Sequence, residues 1–301
     1  MRHSVRVHFL SPLAALAFTI KTPLVGCVVL NIHKRFTGSN LWVRMETFHD
    51  VLFEISNEDR HNMLLQLADK AKNVTRLSKI LGLSLTETSR HLSRICEVGL
   101  THKDVDGLYY ISSFGRLFLS QLQGAEFVSK HREYFNTHSL TGLPLEFIGR
   151  LGELNNSIYV DDVMVVFKNI ENMMQTAEEY IWRLTDRFLM IFLPHILSAT
   201  RRGVEYRLVY PKDMVFPPDV NQTAQLREAR DEGSFSAKSM EGSCVFLTLS
   251  EKEVAAVSFP TLDGRFEYWG FTSTDKQVHK WCKNLFQYYW EKGTPSPYRI
   301  W

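Results

Sequence analysis

The stretch from Val74 to Ile111 constrains this chain more than any other, because several independent local signals fall there in one order. Asn73 suits the cap of a helix running to Leu81, with apolar Leu77, Ile80 and Leu81 on one face. Gly82 stands where a left-handed residue ends a helix at little cost. Ser84 and Glu87 have capping-box spacing and start a second helix. On it Leu85, Thr88, Leu92 and Ile95 are spaced to face a core. Thr86, Glu87, Ser89, Arg90, Ser93 and Arg94 fall on the complementary face. Gly99 closes the helix, and Asp106-Gly107 between Val105 and Leu108 is a strong hairpin signal. The sum is a helix-turn-helix followed by a β-hairpin wing. An ordinary helical hairpin shares the caps and the turn glycine but not the whole ordered set.

A second helix in that setting enters a DNA major groove, so double-stranded DNA is the expected partner. Ser84, Thr86, Ser89, Arg90 and Arg94 would reach phosphates or base edges, arginine being the side chain that reads guanine bidentately. Glu87 can accept from cytosine, although its capping role already accounts for it. His91 is placed either to touch the backbone or to pack. Arg76 and Lys79 on the preceding helix, with His102 and Lys103 on the wing, would add phosphate contacts. One recognition helix spans too few base pairs for useful selectivity, so a homodimer on half-sites about one helical turn apart is expected.

The run Thr86–Leu100, TETSRHLSRICEVGL, resembles the recognition helix of bacterial and archaeal winged-helix regulators of the ArsR, MarR and TrmB type. Ser84, Ser89, Arg90, His91, Leu92, Gly99 and Leu100 carry the resemblance, with Thr88 where that pattern usually has valine. The metal ligands of the ArsR type are not recognisable, so no metal sensing is implied.

A chain of 301 residues is long enough for two domains that each bury a core. The formal net charge of +2 does not by itself announce a nucleic-acid protein. Cys27, Cys96, Cys244 and Cys282 are scattered and form no Cys-x-x-Cys pair, which argues against zinc and a disulfide framework and for reduced thiols in a cytoplasm. Six of the 35 basic residues and none of the 33 acidic ones precede Met45, so the remainder carries 29 bases against 33 acids, a formal −4. Phe9 to Leu30 is largely apolar but contains Lys21, Pro12 and Pro23. Lys21 near the middle of a span would cost about 2.5–3.5 kcal/mol on insertion scales. The expectation is that residues 1–44 are a disordered extension or precede the true start at Met45, a membrane-anchored regulator being the alternative.

Glu46 to Ile55 reads as a short helix, and Ser56 with Asp59 as the cap of the next, whose Met63, Leu64 and Leu67 would pack beneath the helix-turn-helix. Ser113 would cap a helix to about Gln123. The expected division is a DNA-binding domain over 45–125, a connector over 126–144, an α/β domain over 145–294 and a tail over 295–301. Ala177–Leu184 and Val204–Tyr210 read as parallel strands joined by a helix over Phe188–Arg202, with a kink at Pro194. A helix from about Asn221 to Arg230 follows. Strand-like runs cover Phe235–Met240, Cys244–Leu249, Val254–Phe259 and Phe266–Gly270, and Asp275–Trp290 reads as a closing helix that buries Val278, Trp281, Leu285, Phe286 and Tyr289. The fold class is therefore α/β overall: an N-terminal winged helix-turn-helix of α+β type and a C-terminal α/β mixed-sheet domain.

Four blocks, Tyr134–Leu154, Ala177–Asp186, Arg201–Pro211 and Ser258–Lys292, resemble archaeal regulators that carry the methanogenesis-regulatory-protein middle domain. With the helix-turn-helix, the resemblance covers nearly all of Met45–Lys292. It implies an archaeal transcription regulator with a C-terminal sensory domain and an unknown small-molecule effector. The strand-helix-strand unit is also similar to phospholipase-D-like modules. Catalysis there needs His-x-Lys followed by Asp five positions on, and no such spacing occurs: His279-Lys280 is adjacent and His195 lies in an apolar helix. No nucleophile elbow, Walker loop or Rossmann fingerprint appears, so no catalytic residue and no cofactor is expected. A protein-binding winged helix or a DNA-targeted enzyme are the alternatives. Ligands of open α/β sheets gather beyond the carboxyl ends of parallel strands, which places a candidate pocket at Asp186, Arg187, Tyr210 and Lys212. Arg187 and Lys212 would hold an anion there and Tyr210 would stack on a ring.

Overall fold

The computed structural model describes residues 47–215, 224–242 and 245–295. The basic extension, the apolar run Phe9–Leu30, the tail after Pro295 and the expected start of a helix at Asn221 lie outside the described residues.

From Leu52 onward the chain forms one compact unit. Its first part is helical: the last turn of α1 (Phe48–Ile55), α2 (Glu58–Asp69), α3 (Val74–Leu81) and α4 (Leu85–Glu97). The caps set the boundaries. Asn57, one residue after the expected Ser56, accepts from the Arg60 amide and starts α2. Asn73 accepts from the Arg76 amide at 2.9 Å and starts α3. Gly82 then takes φ +69°, a left-handed turn that a side chain would strain, and this tight corner sets α4 against α3. Both arms of the Ser84–Glu87 capping box are present at the head of α4. Leu77, Thr88, Leu92 and Ile95 are fully buried against Met63, Leu64 and Leu67 of the same core, whereas Leu85 and Ile80 face outward, contrary to the sequence expectation.

A two-stranded antiparallel hairpin follows, β1 (Thr101–Lys103) with β2 (Tyr109–Ile111). Its turn is longer than the expected two-residue one. The Asp104 amide donates to the Leu108 carbonyl at 2.9 Å, closing a three-residue loop over Val105–Gly107. The Asp104 carboxylate accepts from the Asp106 and Leu108 amides. Ser112, not Ser113, caps α5 (Ser113–Lys130), which continues through the expected boundary at residue 125.

The remainder is an eight-stranded mixed sheet between two helical layers. Its elements are α6 (Arg132–Thr137), α7 (Leu145–Ile148), β3 (Ile158–Val160), α8 (Val163–Thr176), β4 (Tyr180–Leu184), α9 (Leu193–Arg201), β5 (Glu205–Pro211), α10 (Ala224–Asp231), β6 (Phe235–Met240), β7 (Phe246–Ser250), β8 (Val254–Ser258), β9 (Gly270–Ser273), α11 (Lys276–Lys292) and β10 (Thr294–Pro295). The strand order is β10-β6-β5-β4-β7-β8-β9-β3. β4, β5 and β6 are mutually parallel, and the remaining pairs are antiparallel. The helical stretch between β4 and β5 begins later than expected: a 3-10 turn covers Met190–Phe192, and Pro194 sits in the first turn of α9, where its missing amide costs nothing. α8 had no counterpart in the sequence reading, and the last full strand is Gly270–Ser273, not Phe266–Gly270.

Alternation along the strands builds two cores. Ile181, Tyr206, Leu208 and Phe246 face one layer, with Ile170 and Met173 of α8 and Ile196 of α9. Trp182, Leu184, Val209 and Leu247 face the other, with Trp281, Leu285 and Phe286 of α11. All five α11 residues expected to be buried are buried. The first part docks on this body through α5. Phe127 of α5 is fully buried in the second core. Further back, a 3-10 turn (Leu151–Leu154) approaches so closely that a Cβ on Gly152 would lie 2.4 Å from the Gln123 side chain and 2.7 Å from its backbone. Only glycine permits that approach.

Candidate nucleic-acid interface

The outward face of α4 is the candidate surface. Leu85, Thr86, Ser89, Arg90 and Ser93 line a shallow open depression there. Thr86, Ser89 and Arg90 are exposed, and Arg90 forms no ion pair among the described residues. A guanidinium displayed in this way, beside two hydroxyls on a rigid helix, is a donor array suited to phosphate or a base edge.

Other expected contacts are spent inside the fold. Ser84 Oγ accepts from the Glu87 amide at 3.2 Å and donates to Glu87 Oε2 at 2.7 Å. The Glu87 carboxylate also accepts from the Ser84 amide at 3.1 Å. These hydrogen bonds hold the Glu87 carboxyl below its ordinary pKa, so it stays an ionised cap and is not free to read cytosine. His91 is buried, with Nε2 3.9 Å from Asp59. Burial, then the nearby Arg60 charge, lowers its pKa, which keeps the ring neutral and away from the outer face.

Arg94 is the main correction. Its Nε and Nη2 donate to the two oxygens of Glu54 at 2.9 and 2.7 Å, and its guanidinium lies 5.7 Å from the Phe53 ring centroid. Glu54 is itself buried and 3.2 Å from Arg60 Nε. Arg94 therefore fastens α4 to α1 and α2 and does not reach outward as Arg90 does. Sequence reasoning missed Glu54 because its partner lies 40 positions away.

Arg76 and Lys79 are exposed on α3 without ion pairs among the described residues. On the hairpin, exposed His102 stacks on Tyr110 at 5.4 Å, and Lys103 Nζ lies 5.4 Å from the Tyr109 ring centroid. These aromatic rests limit where the two side chains can swing while leaving both residues exposed.

The strand-end pocket is not assembled. Tyr210 is fully buried in the sheet and has no face to offer a ligand. Lys212 Nζ is paired with Glu241 at 2.6 Å. Arg187 Nε donates to Asp186 at 2.9 Å, and the same carboxylate accepts from the Tyr268 hydroxyl at 3.0 Å. The four residues fall into two separate polar clusters and one core position. His279 bridges layers, its Nε2 2.6 Å from the Ser250 carbonyl oxygen.

No protein-family model matches the chain, and no curated protein matches it. Among solved structures it is similar to TrmBL2, described as an archaeal chromatin protein with a novel mode of DNA binding, at 16% identity over 83% of this chain and 100% of the other, with a TM-score of 0.39. NucT from Helicobacter pylori matches at 10% identity over 46% and 96% of the two chains, TM-score 0.34. The phospholipase D family member Nuc from Salmonella typhimurium matches at 10% identity over 42% and 87%, TM-score 0.28. Superpositions this loose do not establish a shared fold. No described helix is long and apolar enough to cross a membrane.

Proposed function

We propose that the chain is a DNA-binding transcription regulator whose winged helix-turn-helix lays α4 in the major groove. The observation that carries this reading is Arg90, a guanidinium with no ion pair among the described residues, exposed on a helix with a capping box whose opposite face is fully buried. Arg76, Lys79, His102 and Lys103 supply phosphate contacts around it. Two copies act together, since one α4 covers too few base pairs, and the exposed Phe114 and Leu117 of α5 give apolar surface for that pairing. The sheet domain is a non-catalytic sensor, a role in keeping with its His279 being engaged by a backbone carbonyl. The regulator works in the cytoplasm of an archaeon.

The test is selection of duplexes from a random library, followed by fluorescence anisotropy across a salt series. Arg90→Ala should weaken the selected duplex by about 1–3 kcal/mol and relax selectivity at one position, whereas Lys79→Ala should weaken all duplexes alike and lower the salt slope by about one. Failure of the wild-type protein to bind any duplex at low salt would sink the reading. Salt-independent capture of a protein partner by the same face would instead favour a protein-binding module.

A further inference from the structure

A cavity of about 740 Å³ opens in the sheet domain between α6 and the segment that leads into β9. That volume lies within the range of small-molecule sites. Aromatic side chains wall it, among them Tyr159, in the middle of β3, and Trp269. The Trp269 indole N–H donates to His138 Nε2 at 3.1 Å. Indole can only donate, so His138 Nε2 is the acceptor in that bond. Its Nδ1–H then donates toward the Tyr134 carbonyl at 2.9 Å. Glu267 Oε2 lies 3.8 Å from His138 Nε2.

Two carboxylates on the cavity wall, Glu133 and Asp161, form no ion pair among the described residues, and a third, Glu267, lies beside His138. Asp263 is already neutralised by Arg265, whose Nε donates to it at 2.7 Å; Arg265 is also close enough to feel Glu267. Asp161, Glu133 and Glu267 all bear on one ring: burial, then these three carboxylates in that order, push the Tyr159 hydroxyl above its ordinary pKa. Anions are repelled by such a wall. A bare metal ion is poorly served as well, because among the described residues no three His, Cys, Asp or Glu side chains are placed to hold one.

We propose that this cavity binds a small organic polycation of the linear polyamine class, with ammonium groups set against the faces of Tyr159 and Trp269 and countered by Glu133, Asp161 and Glu267. Ring faces attract ammonium groups, and the attraction grows as water is excluded. The site gives the sensor of the proposed function its ligand class, but binding here needs no DNA and stands or falls without it.

The experiment is isothermal titration of the full chain, free of DNA, with spermidine. One saturable site per chain is expected, retained at physiological salt. Asp161→Asn with Glu267→Gln should weaken it by about tenfold or more, the loss of counter-charges in a partly desolvated site. Tyr159→Phe should keep the site and Tyr159→Leu should lose most of it, with melting and circular dichroism unchanged in both. Tetramethylammonium should bind more weakly and adenosine monophosphate not at all. Absence of heat with spermidine at low salt would overturn the proposal. So would binding unchanged in the carboxamide variant, several weak sites that vanish with salt, or tighter capture of a lysine-rich peptide than of spermidine. None of these outcomes bears on whether the chain binds DNA.

Discussion

The N-terminal helical part and the sheet domain are held together in opposite ways. In the first, the determining contacts are between near neighbours: Asn73 with Arg76, Ser84 with Glu87, Ser112 with Gly115. In the second they join distant stretches. The Tyr134 hydroxyl accepts from the Phe259 amide across 125 positions, Trp269 meets His138 across 131, and the Trp281 indole donates to the Phe147 carbonyl across 134. Local caps fix where a helix begins whatever the rest of the chain does. Long-range contacts exist only once the whole sheet has closed, so their loss is felt throughout that body.

The largest expected effect therefore lies in the sheet domain. Trp281 is fully buried among the side chains of the α11 layer and stands edge-on to Phe147 at 5.6 Å. Trp281→Ala should cost about 3–5 kcal/mol, the loss of a large side chain plus the cavity it leaves. Equilibrium urea unfolding gives the value directly. A loss below about 1 kcal/mol would mean that the layer collapses to refill the space and is not closely packed.

A smaller effect sharpens the contrast from the other side, because the helical part also has a non-local brace. Glu54 is buried and joins Arg60 and Arg94, so Glu54→Gln leaves two guanidinium groups without their counter-charge. Removing one partner of a buried pair costs up to about 3–5 kcal/mol, and partial exposure of Arg94 should reduce this to about 2. Urea unfolding of Glu54→Gln and of Arg94→Ala, with DNA affinity measured beside them, separates brace from contact. If Arg94→Ala left stability intact and abolished binding, Arg94 would belong with Arg90 in the groove and the brace would be incidental.

The same contrast explains what could be read in the chain. The caps at Asn73 and Ser84, the left-handed Gly82 and the amphipathic α11 follow from spacing alone. The exposure of Arg90 was legible because an outward face needs no knowledge of partners. His91 and Arg94 lie on the same helix, but their fate depends on Asp59 and Glu54, which no local pattern reveals. Tyr210 looked available at a strand end, yet its position in the alternation turns it into the core. α8 was hidden by Val163, Val165 and Val166, β-branched residues that weaken a helical signal. β9 was placed four residues early because Tyr268 takes φ +67°, which breaks the extended run just before the strand.

The smallest effect decides whether the cap at Ser84 is purely local. Its hydroxyl is engaged twice by Glu87, once as acceptor and once as donor, so none of its directed bonding is left for a phosphate. Ser84→Ala should lower stability by about 1 kcal/mol, the usual worth of an N-cap, and leave the salt slope of DNA binding unchanged. Ser84→Asp keeps an acceptor at the cap but sets a second carboxylate against Glu87 and near the DNA backbone. It should recover less than half of the lost stability and weaken every duplex alike. Thermal melting and anisotropy on the three proteins distinguish the roles. Full stability in Ser84→Ala with weakened DNA binding would transfer Ser84 from the cap to the interface, and the boundary between locally fixed structure and displayed contacts would move inward along α4 to Thr86.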